Sequence, residues 1–170
     1  MSARGAAAGL LVLLAACAAT PPPAEPADES TRAIDAMLSD WHDAAANADE
    51  ARYFAHLSSD SIFMGTDATE RWDKSAFLKF AHPHFAKGKA WRFHAARRAI
   101  TIDEPGRVAH FDEDLVTEKL GPARGSGVVV LRDGAWQIIQ YNLALTIPNE
   151  RFDEVHALLE SPPAKPAERP

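Results

Sequence analysis

Four stretches of alternating apolar and polar residues fill the second half of the sequence, and this pattern limits the possible folds more than any other feature. The stretches cover residues 91–102, 108–117, 126–132 and 135–147. The turns between them contain Pro105-Gly106, Gly121-Pro122 and Asp133-Gly134. Asp-Gly between alternating stretches is a strong signal for a two-residue hairpin loop. The pattern therefore predicts an antiparallel meander of four long strands.

The first of these strands changes the face on which its apolar residues lie. Trp91 and Phe93 share one face, whereas Ile100 and Ile102 share the other. Because side chains alternate along a strand, the change predicts a bulge or sharp bend near residues 96–98. A long bent strand curls its sheet, and a curled sheet with helices on its concave side forms a cone with an internal pocket.

The first half of the chain is predicted to be mostly helical. One helix face carries Ile34, Leu38, Trp41 and Ala45. Further helices are predicted near residue 50, from Asp73 until Pro83 closes or kinks the helix, and after Asn149, with a short strand over residues 61–65. The predicted fold class is α+β: a cone-shaped, curved, mostly antiparallel sheet of four long strands and one short strand, with three N-terminal helices and one C-terminal helix.

The N-terminus has the pattern of a secretory signal peptide over residues 1–16. Arg4 supplies the positive charge, and the apolar run over residues 6–16 is shorter than the roughly 20 residues that cross a bilayer. Cys17 follows Leu-Ala-Ala, which resembles the bacterial lipobox, where the cysteine is acylated and becomes the first residue of the mature protein. The alternative is an ordinary signal peptide that happens to contain a cysteine.

The rest of the sequence divides into a tether, one domain and a tail. Residues 17–30 hold the cysteine and a Pro-rich stretch, residues 31–160 hold the periodic patterns, and residues 161–170 are again Pro-rich. Acylated Cys17 would attach the domain to a lipid bilayer. Since the next residue is not the Asp that resembles an inner-membrane retention signal, we expect a position in the cell envelope, at the outer membrane facing the periplasm.

Charge and motifs exclude several classes of partner. The formal net charge is −6, and the basic residues are not concentrated on one face as nucleic-acid binding requires. Cys17 is the only cysteine, which excludes an intramolecular disulfide. No phosphate-binding glycine loop is present, and Pro83 breaks the spacing of His82 and His84 that a zinc site would favour. We therefore expect no cofactor and no metal.

Five segments of the domain resemble the SnoaL-like branch of the nuclear transport factor 2-like superfamily. They are residues 63–72 (FMGTDATERW), 110–113 (HFDE), 124–128 (RGSGV), 136–142 (WQIIQYN) and 147–149 (IPN). The resemblance covers nearly the whole domain and implies the cone fold. It does not carry a function, because the superfamily includes isomerases, dehydratases, cyclases, kinase-association domains and members without known activity.

Pairing across the predicted hairpin at Asp133-Gly134 indicates where a pocket would lie. With a two-residue loop, Gly125 and Gly127 of the third strand lie beside Asn142 and Gln140 of the fourth. The glycines then leave space next to two amides, above an apolar floor that includes Trp136. An apolar cavity with a few convergent polar groups is the usual form of a ligand pocket.

Further candidate ligand contacts are Asp112, Trp72 and Tyr53. Asp112 shares a strand face with His110, two positions away, which would suit an acid/base pair. Each candidate also has a structural interpretation. Asp112 would instead form an ion pair with Arg98, His110 would be a half-exposed strand residue, the aromatic rings would be core, and the two amides would satisfy buried backbone groups.

Two functions remain open. The first is a membrane-anchored domain that binds a small ligand or a partner; the second is a small-molecule isomerase, hydratase or lyase that uses Asp112 and His110. Enzymatic activity is left uncertain, with binding favoured, because no second acid is clearly placed near Asp112. A buried, unpaired Asp112 facing a cavity would favour catalysis. The last strand is apolar on both faces, so the outer sheet face is also a candidate homodimer surface.

Overall fold

The structure is a computed structural model that describes residues 27–103 and 106–160. Its helices are α1 (Ala27–Ala46), α2 (Glu50–Ala55), α3 (Lys74–Ala86) and α4 (Phe152–Glu160). Its strands are β1 (Leu57–Met64), β2 (Arg71–Asp73), β3 (Phe93–Asp103), β4 (Val108–Thr117), β5 (Ala123–Arg132) and β6 (Ala135–Leu145). The predicted signal peptide, Cys17 and the tail over residues 161–170 lie outside the described residues.

The strands form one curved, unclosed sheet in the order β2-β1-β6-β5-β4-β3. All neighbours are antiparallel except β1 and β6, which run parallel. The predicted α+β class and the meander of β3 to β6 are confirmed. Strand β2 was not predicted, because three residues are too few to show an alternating pattern.

Helices α1 to α3 precede the meander in the chain and supply the helical part of the core. All four residues of the predicted helix face, Ile34, Leu38, Trp41 and Ala45, are buried. Helix α1 begins inside the predicted tether, and its Ser30 is fully buried. The side chain of Asp73 accepts a hydrogen bond from the backbone of Ala76, which confirms the predicted start of α3, although the helix continues past Pro83. No helix in the described ranges has the length and apolar character to span a bilayer.

Strand β3 contains the predicted irregularity. Ala95 pairs with Leu115 of β4, and Arg97 pairs with Asp114, so Ala96 is an extra residue. The bulge confirms the bend expected near residues 96–98. It also decides which arginine points inward, because the extra residue reverses the alternation beyond it.

Strand β6 contains a second bulge, which was not predicted. Val129 pairs with Ile138 and Val128 pairs with Gln140, so Ile139 is the extra residue. The predicted pairing holds from the hairpin to Ile138 and is wrong by one position beyond it. Gly127 consequently lies opposite Tyr141 rather than Gln140.

The space beside the two glycines of β5 is occupied by aromatic side chains. A Cβ atom at Gly125 would collide with the hydroxyl of Tyr141, and one at Gly127 would collide with the backbone carbonyl of Gln140 and lie 2.9 Å from the ring of Phe111. The two glycines therefore allow close packing of Tyr141 and Phe111. The empty pocket expected at this position is absent from the described structure.

Candidate functional site

The bulge at Ile139 places the two predicted pocket amides on the outer face of the sheet. Gln140 is exposed and Asn142 is half-buried, whereas Trp136 is buried in the core on the opposite side. Simple alternation put all three residues on one face, and the extra residue makes that prediction wrong. Gln140 instead borders a depression of about 250 Å³ on the outer face, together with Ile62 and Arg71.

His110 and Asp112 also lie on the outer face, away from the interior of the cone. The carboxylate of Asp112 accepts a 2.7 Å hydrogen bond from Arg97 and keeps 45% of its side-chain surface exposed. The predicted alternative partner, Arg98, is not the partner, because the Ala96 bulge turns Arg98 inward. Asp112 is thus paired and partly exposed, whereas catalysis would be favoured by a buried, unpaired carboxylate that faces a cavity.

Glu113, which was not among the predicted site residues, is a fully buried carboxylate. Its Oε1 atom accepts hydrogen bonds from His42 Nε2 at 2.7 Å and from Tyr141 Oη at 3.0 Å. Its Oε2 atom lies 2.9 Å from both Nε and Nη2 of Arg98. These four residues, here called the Glu113 cluster, connect α1 with β3, β4 and β6. Arg98 continues the connection by donating to Asp35 of α1 at 2.7 Å.

The surroundings of Glu113 keep it ionised. Burial raises the pKa of this carboxyl, but the hydrogen bonds and charges of His42 and Arg98 outweigh burial and lower the pKa below its ordinary value. An ionised carboxylate has about four acceptor positions, and His42, Tyr141 and Arg98 occupy them. Glu113 therefore has no free position from which to take a proton from a ligand, and the cluster is suited to holding the cone together.

A simple signal pointed to Glu113. Ala109, Phe111 and Leu115 alternate with the outward polar residues of β4, and Glu113 falls on their side of the strand. A carboxylate on the apolar face of a strand must be paired or neutral when buried. The charged partner, Arg98, could not be identified without the position of the β3 bulge.

A cavity of about 560 Å³ opens at the end of the sheet where β3 begins and β4 ends; we call it the cone pocket. Its walls come from α3, the β1–β2 loop and the β4–β5 loop. The aromatic rings that line it are Phe63, Trp72, Phe77, Phe80, Trp91 and Phe93. Trp72 is the one predicted ligand residue in this lining. Tyr53 lies behind it as a fully buried core residue whose ring packs against Trp91.

Several rings of the cone pocket are nearly parallel. Phe77 stacks on Phe63 with a centroid distance of 3.9 Å and an angle of 16°. Trp72 stacks on Phe77 at 16° and on Phe80 at 22°. Trp91 lies at 25° to Phe77. Phe63 and Phe77 are buried in this stack, so the ring surface that a ligand could reach belongs to Trp72, Trp91 and Phe80. Flat apolar surface of this kind suits a flat apolar molecule.

The opening of the cone pocket is polar. The ionisable residues that line it are Glu70, His84, Lys89, Arg92, Glu118 and Lys119. His84 packs its ring against Phe80, and His82 pairs with Glu50 at 2.9 Å outside the pocket. Within the described ranges, His, Asp and Glu side chains form no group of three that could hold a metal ion.

Comparison with known proteins identifies the domain. The sequence model for the SnoaL-like domain matches residues 34–148. No curated protein matches the chain. An NTF2-like protein of unknown function from Pseudomonas putida has a TM-score of 0.59 at 14% identity, over 74% of this chain and 92% of that one.

Two solved structures from Novosphingobium aromaticivorans carry proposed enzyme names. A proposed scytalone dehydratase has a TM-score of 0.60 at 16% identity, over 70% of this chain and 85% of that one. A proposed aromatic ring hydroxylase has a TM-score of 0.61 at 16% identity, over 73% and 94%. Identities this low establish the fold alone. With the family match over most of its folded part, the chain belongs to the SnoaL-like domain family.

Proposed function

We propose that this chain is an envelope protein, anchored through acylated Cys17, whose SnoaL-like domain binds a small organic molecule in the cone pocket. The observation that carries the proposal is the cavity of about 560 Å³ lined by nearly parallel aromatic rings. This volume lies within the usual range of small-molecule sites, and apolar walls with a polar opening are their usual composition.

Binding is favoured over acid/base catalysis by the positions of the carboxylates. Asp112 and His110, the pair suggested for an isomerase, hydratase or lyase, lie on the outer face and not in the cone pocket. Glu113 is in the interior, but its acceptor positions are filled by His42, Tyr141 and Arg98. The enzyme names of the two Novosphingobium neighbours belong to those proteins and support only the capacity of the fold to enclose small molecules.

Fluorescence of N-phenylnaphthylamine, a neutral dye that brightens in apolar sites, tests the pocket. We expect saturable binding to the full chain carrying Cys17→Ser. The variant Phe80→Ser removes a ring from the wall and should weaken binding several-fold, because stacked apolar area is lost.

Leu78→Ser is the matched control. Leu78 is on the same helix and is 39% exposed, similar to Phe80 at 42%, but it does not line the cone pocket. Its dye affinity should equal that of the parent chain. Equal affinities for all three proteins would refute binding in the cone pocket.

The anchor is tested separately from the pocket. When the chain is expressed in a bacterium fed with labelled palmitate, the label should be incorporated and the protein should sediment with membranes. Cys17→Ser should abolish incorporation and remove the protein from the membrane fraction, because the proposed lipid anchor is attached to this thiol. An unlabelled, membrane-free parent chain would show that residues 1–16 are an ordinary signal peptide.

The outer sheet face is proposed as a homodimer surface. Ile62, Met64 and Ile139 place apolar groups in the depression on this face, and such patches on a protein surface commonly mark an interface. Light scattering of the Cys17→Ser chain should give a dimer mass. Met64→Arg should shift it towards the monomer, whereas a monomeric parent chain would contradict the proposal.

A further inference from the structure

We infer that the molecule bound in the cone pocket is a flat organic anion, with its apolar body on the aromatic rings and its negative group at the opening. The inference rests on the proposed binding function and adds the chemical class of the ligand. It starts from three cations that line the opening, Lys89, Arg92 and Lys119, in a chain whose formal net charge is −6.

The three cations come from two separate segments that meet at the same end of the sheet. Lys89 and Arg92 are in the connection between α3 and β3, and Lys119 is in the β4–β5 loop. Phe93, the first residue of β3, pairs with Thr117, the last residue of β4. This pairing brings the two loops together, so that positive charges approach the opening of the cone pocket from both.

None of the three cations forms an ion pair with another residue in the described ranges. This sets Arg92 apart from most other arginines there, whereas the other lysines of those ranges are also without an ion pair. Arg52, Arg97 and Arg132, for example, each bind an aspartate. Three pocket cations without an acid partner are therefore available to a negatively charged group of a ligand.

The two carboxylates at the opening offset these charges only in part, since three cations against two carboxylates leave an excess of one positive charge. The carboxylate of Glu70 lies over Gly65 and accepts a 3.2 Å hydrogen bond from the backbone of Asp67, which holds it within its own loop. Glu118 is the remaining acid, beside Lys119 in sequence. An anion at the opening therefore meets an excess of positive charge, while the rings of Trp72 and Phe80 remain open to its flat part.

Two dyes with the same ring framework separate the effect of charge from the effect of stacking. Anilinonaphthalenesulfonate carries a sulfonate, and N-phenylnaphthylamine does not. The full chain carrying Cys17→Ser should bind the sulfonate more tightly than the neutral dye. Each of Lys89→Gln, Arg92→Gln and Lys119→Gln should weaken sulfonate binding by up to about fivefold, the upper range for an exposed charge pair, and leave the neutral dye unchanged.

Lys79→Gln is the matched control, since Lys79 is an exposed cation on α3 that does not line the cone pocket. Lys79→Gln should leave the affinity for both dyes unchanged. Added salt should weaken the binding of the sulfonate dye only. If both dyes bind with equal affinity, and Phe80→Ser weakens both, the anion inference is overturned while the binding function stands. If neither dye responds to Phe80→Ser, both fail together.

Discussion

Tyr141 donates a 3.0 Å hydrogen bond to Glu113 from a position that depends on one extra residue in β6. Regular alternation from Ile138 would turn Tyr141 outward and Gln140 inward. The bulge at Ile139 reverses this order, and the phenol reaches the buried carboxylate. A bulge of this kind re-aims side chains at a defined place in a sheet, and here it exchanges a predicted pocket amide for a member of the Glu113 cluster.

Replacing Glu113 by Gln should strongly destabilise the fold. The change removes the charge that compensates buried Arg98, and breaking a buried ion pair on one side costs about 3–5 kcal/mol. Urea unfolding followed by circular dichroism measures the loss. The matched control Asp112→Asn removes a half-exposed carboxylate from the same strand and should cost at most about 1 kcal/mol. Equal losses for the two variants would contradict a structural role for the cluster.

Stability should fall in acid. In the folded state the pKa of Glu113 is below its ordinary value of 4.5, and the hydrogen bond from Arg52 holds the pKa of Asp40 at about 2. As the pH falls below 4.5, the unfolded chain takes up protons that the folded chain does not. The free energy of unfolding therefore decreases until the pH has passed the lower pKa values of the folded state.

Urea unfolding at a series of pH values between 7 and 3 tests this sign. We expect the free energy of unfolding to decline steadily below the ordinary carboxyl pKa. The free energy of unfolding of Asp40→Asn should decline less steeply in the most acidic part of the series, because this variant lacks one of the carboxyl groups whose pKa is lowered by folding. A free energy that rises on acidification would show that burial, not His42 and Arg98, controls Glu113.

Gly125→Ala should destabilise the domain through a specific collision. The new methyl group would meet the hydroxyl of Tyr141 and lie 2.8 Å from Oε1 of Glu113. Overpacking of this kind costs about 1–3 kcal/mol. Urea unfolding should show part of the loss recovered in the double variant Gly125→Ala/Tyr141→Phe, since the closest of the colliding atoms is then absent. Strictly additive losses would show that the collision with the Tyr141 hydroxyl is not the cause. Ser126→Ala, on the outer face of the same strand, serves as the control.

The two bulges explain why the fold was more predictable than the site. At Ala96 the apolar residues change face, so the irregularity was visible in the sequence. Around Ile139 both strand faces carry large apolar side chains, and a slip of one residue leaves no mark on the pattern. The apolar face of α1, the hairpin at Asp133-Gly134 and the α+β class depend on local patterns and were correct.

The cone pocket could not be read from alternation because its walls come from distant loops. Trp72 of β2, Phe80 of α3 and Trp91 just before β3 line one cavity only after these elements are packed together. The sequence predicted a cavity from the curvature of the sheet, but located it beside Gly125 and Gly127. The side chains of Tyr141 and Phe111 pack against those glycines, so no cavity is left there. The cone pocket lies at the open end of the sheet instead.

Helix α4 should be the least protected helix of the domain. It packs mainly against the 3₁₀ turn over residues 149–151 that precedes it, and its Leu158 and Leu159 are 73% and 80% exposed. A helix this short has little stability of its own in water. In α1, by contrast, Ile34 and Leu38 are fully buried against the sheet.

Hydrogen exchange followed by mass spectrometry distinguishes the two helices. Peptides from α4 should exchange their amide protons within seconds, because local opening there exposes almost no buried surface, whereas peptides from α1 should exchange only with global unfolding. Leu158→Ser should leave the free energy of unfolding unchanged within about 0.5 kcal/mol, as for other exposed positions. Leu38→Ala should cost about 2–5 kcal/mol through the cavity it creates. Slow exchange in α4 would mean that its apolar residues are covered in solution.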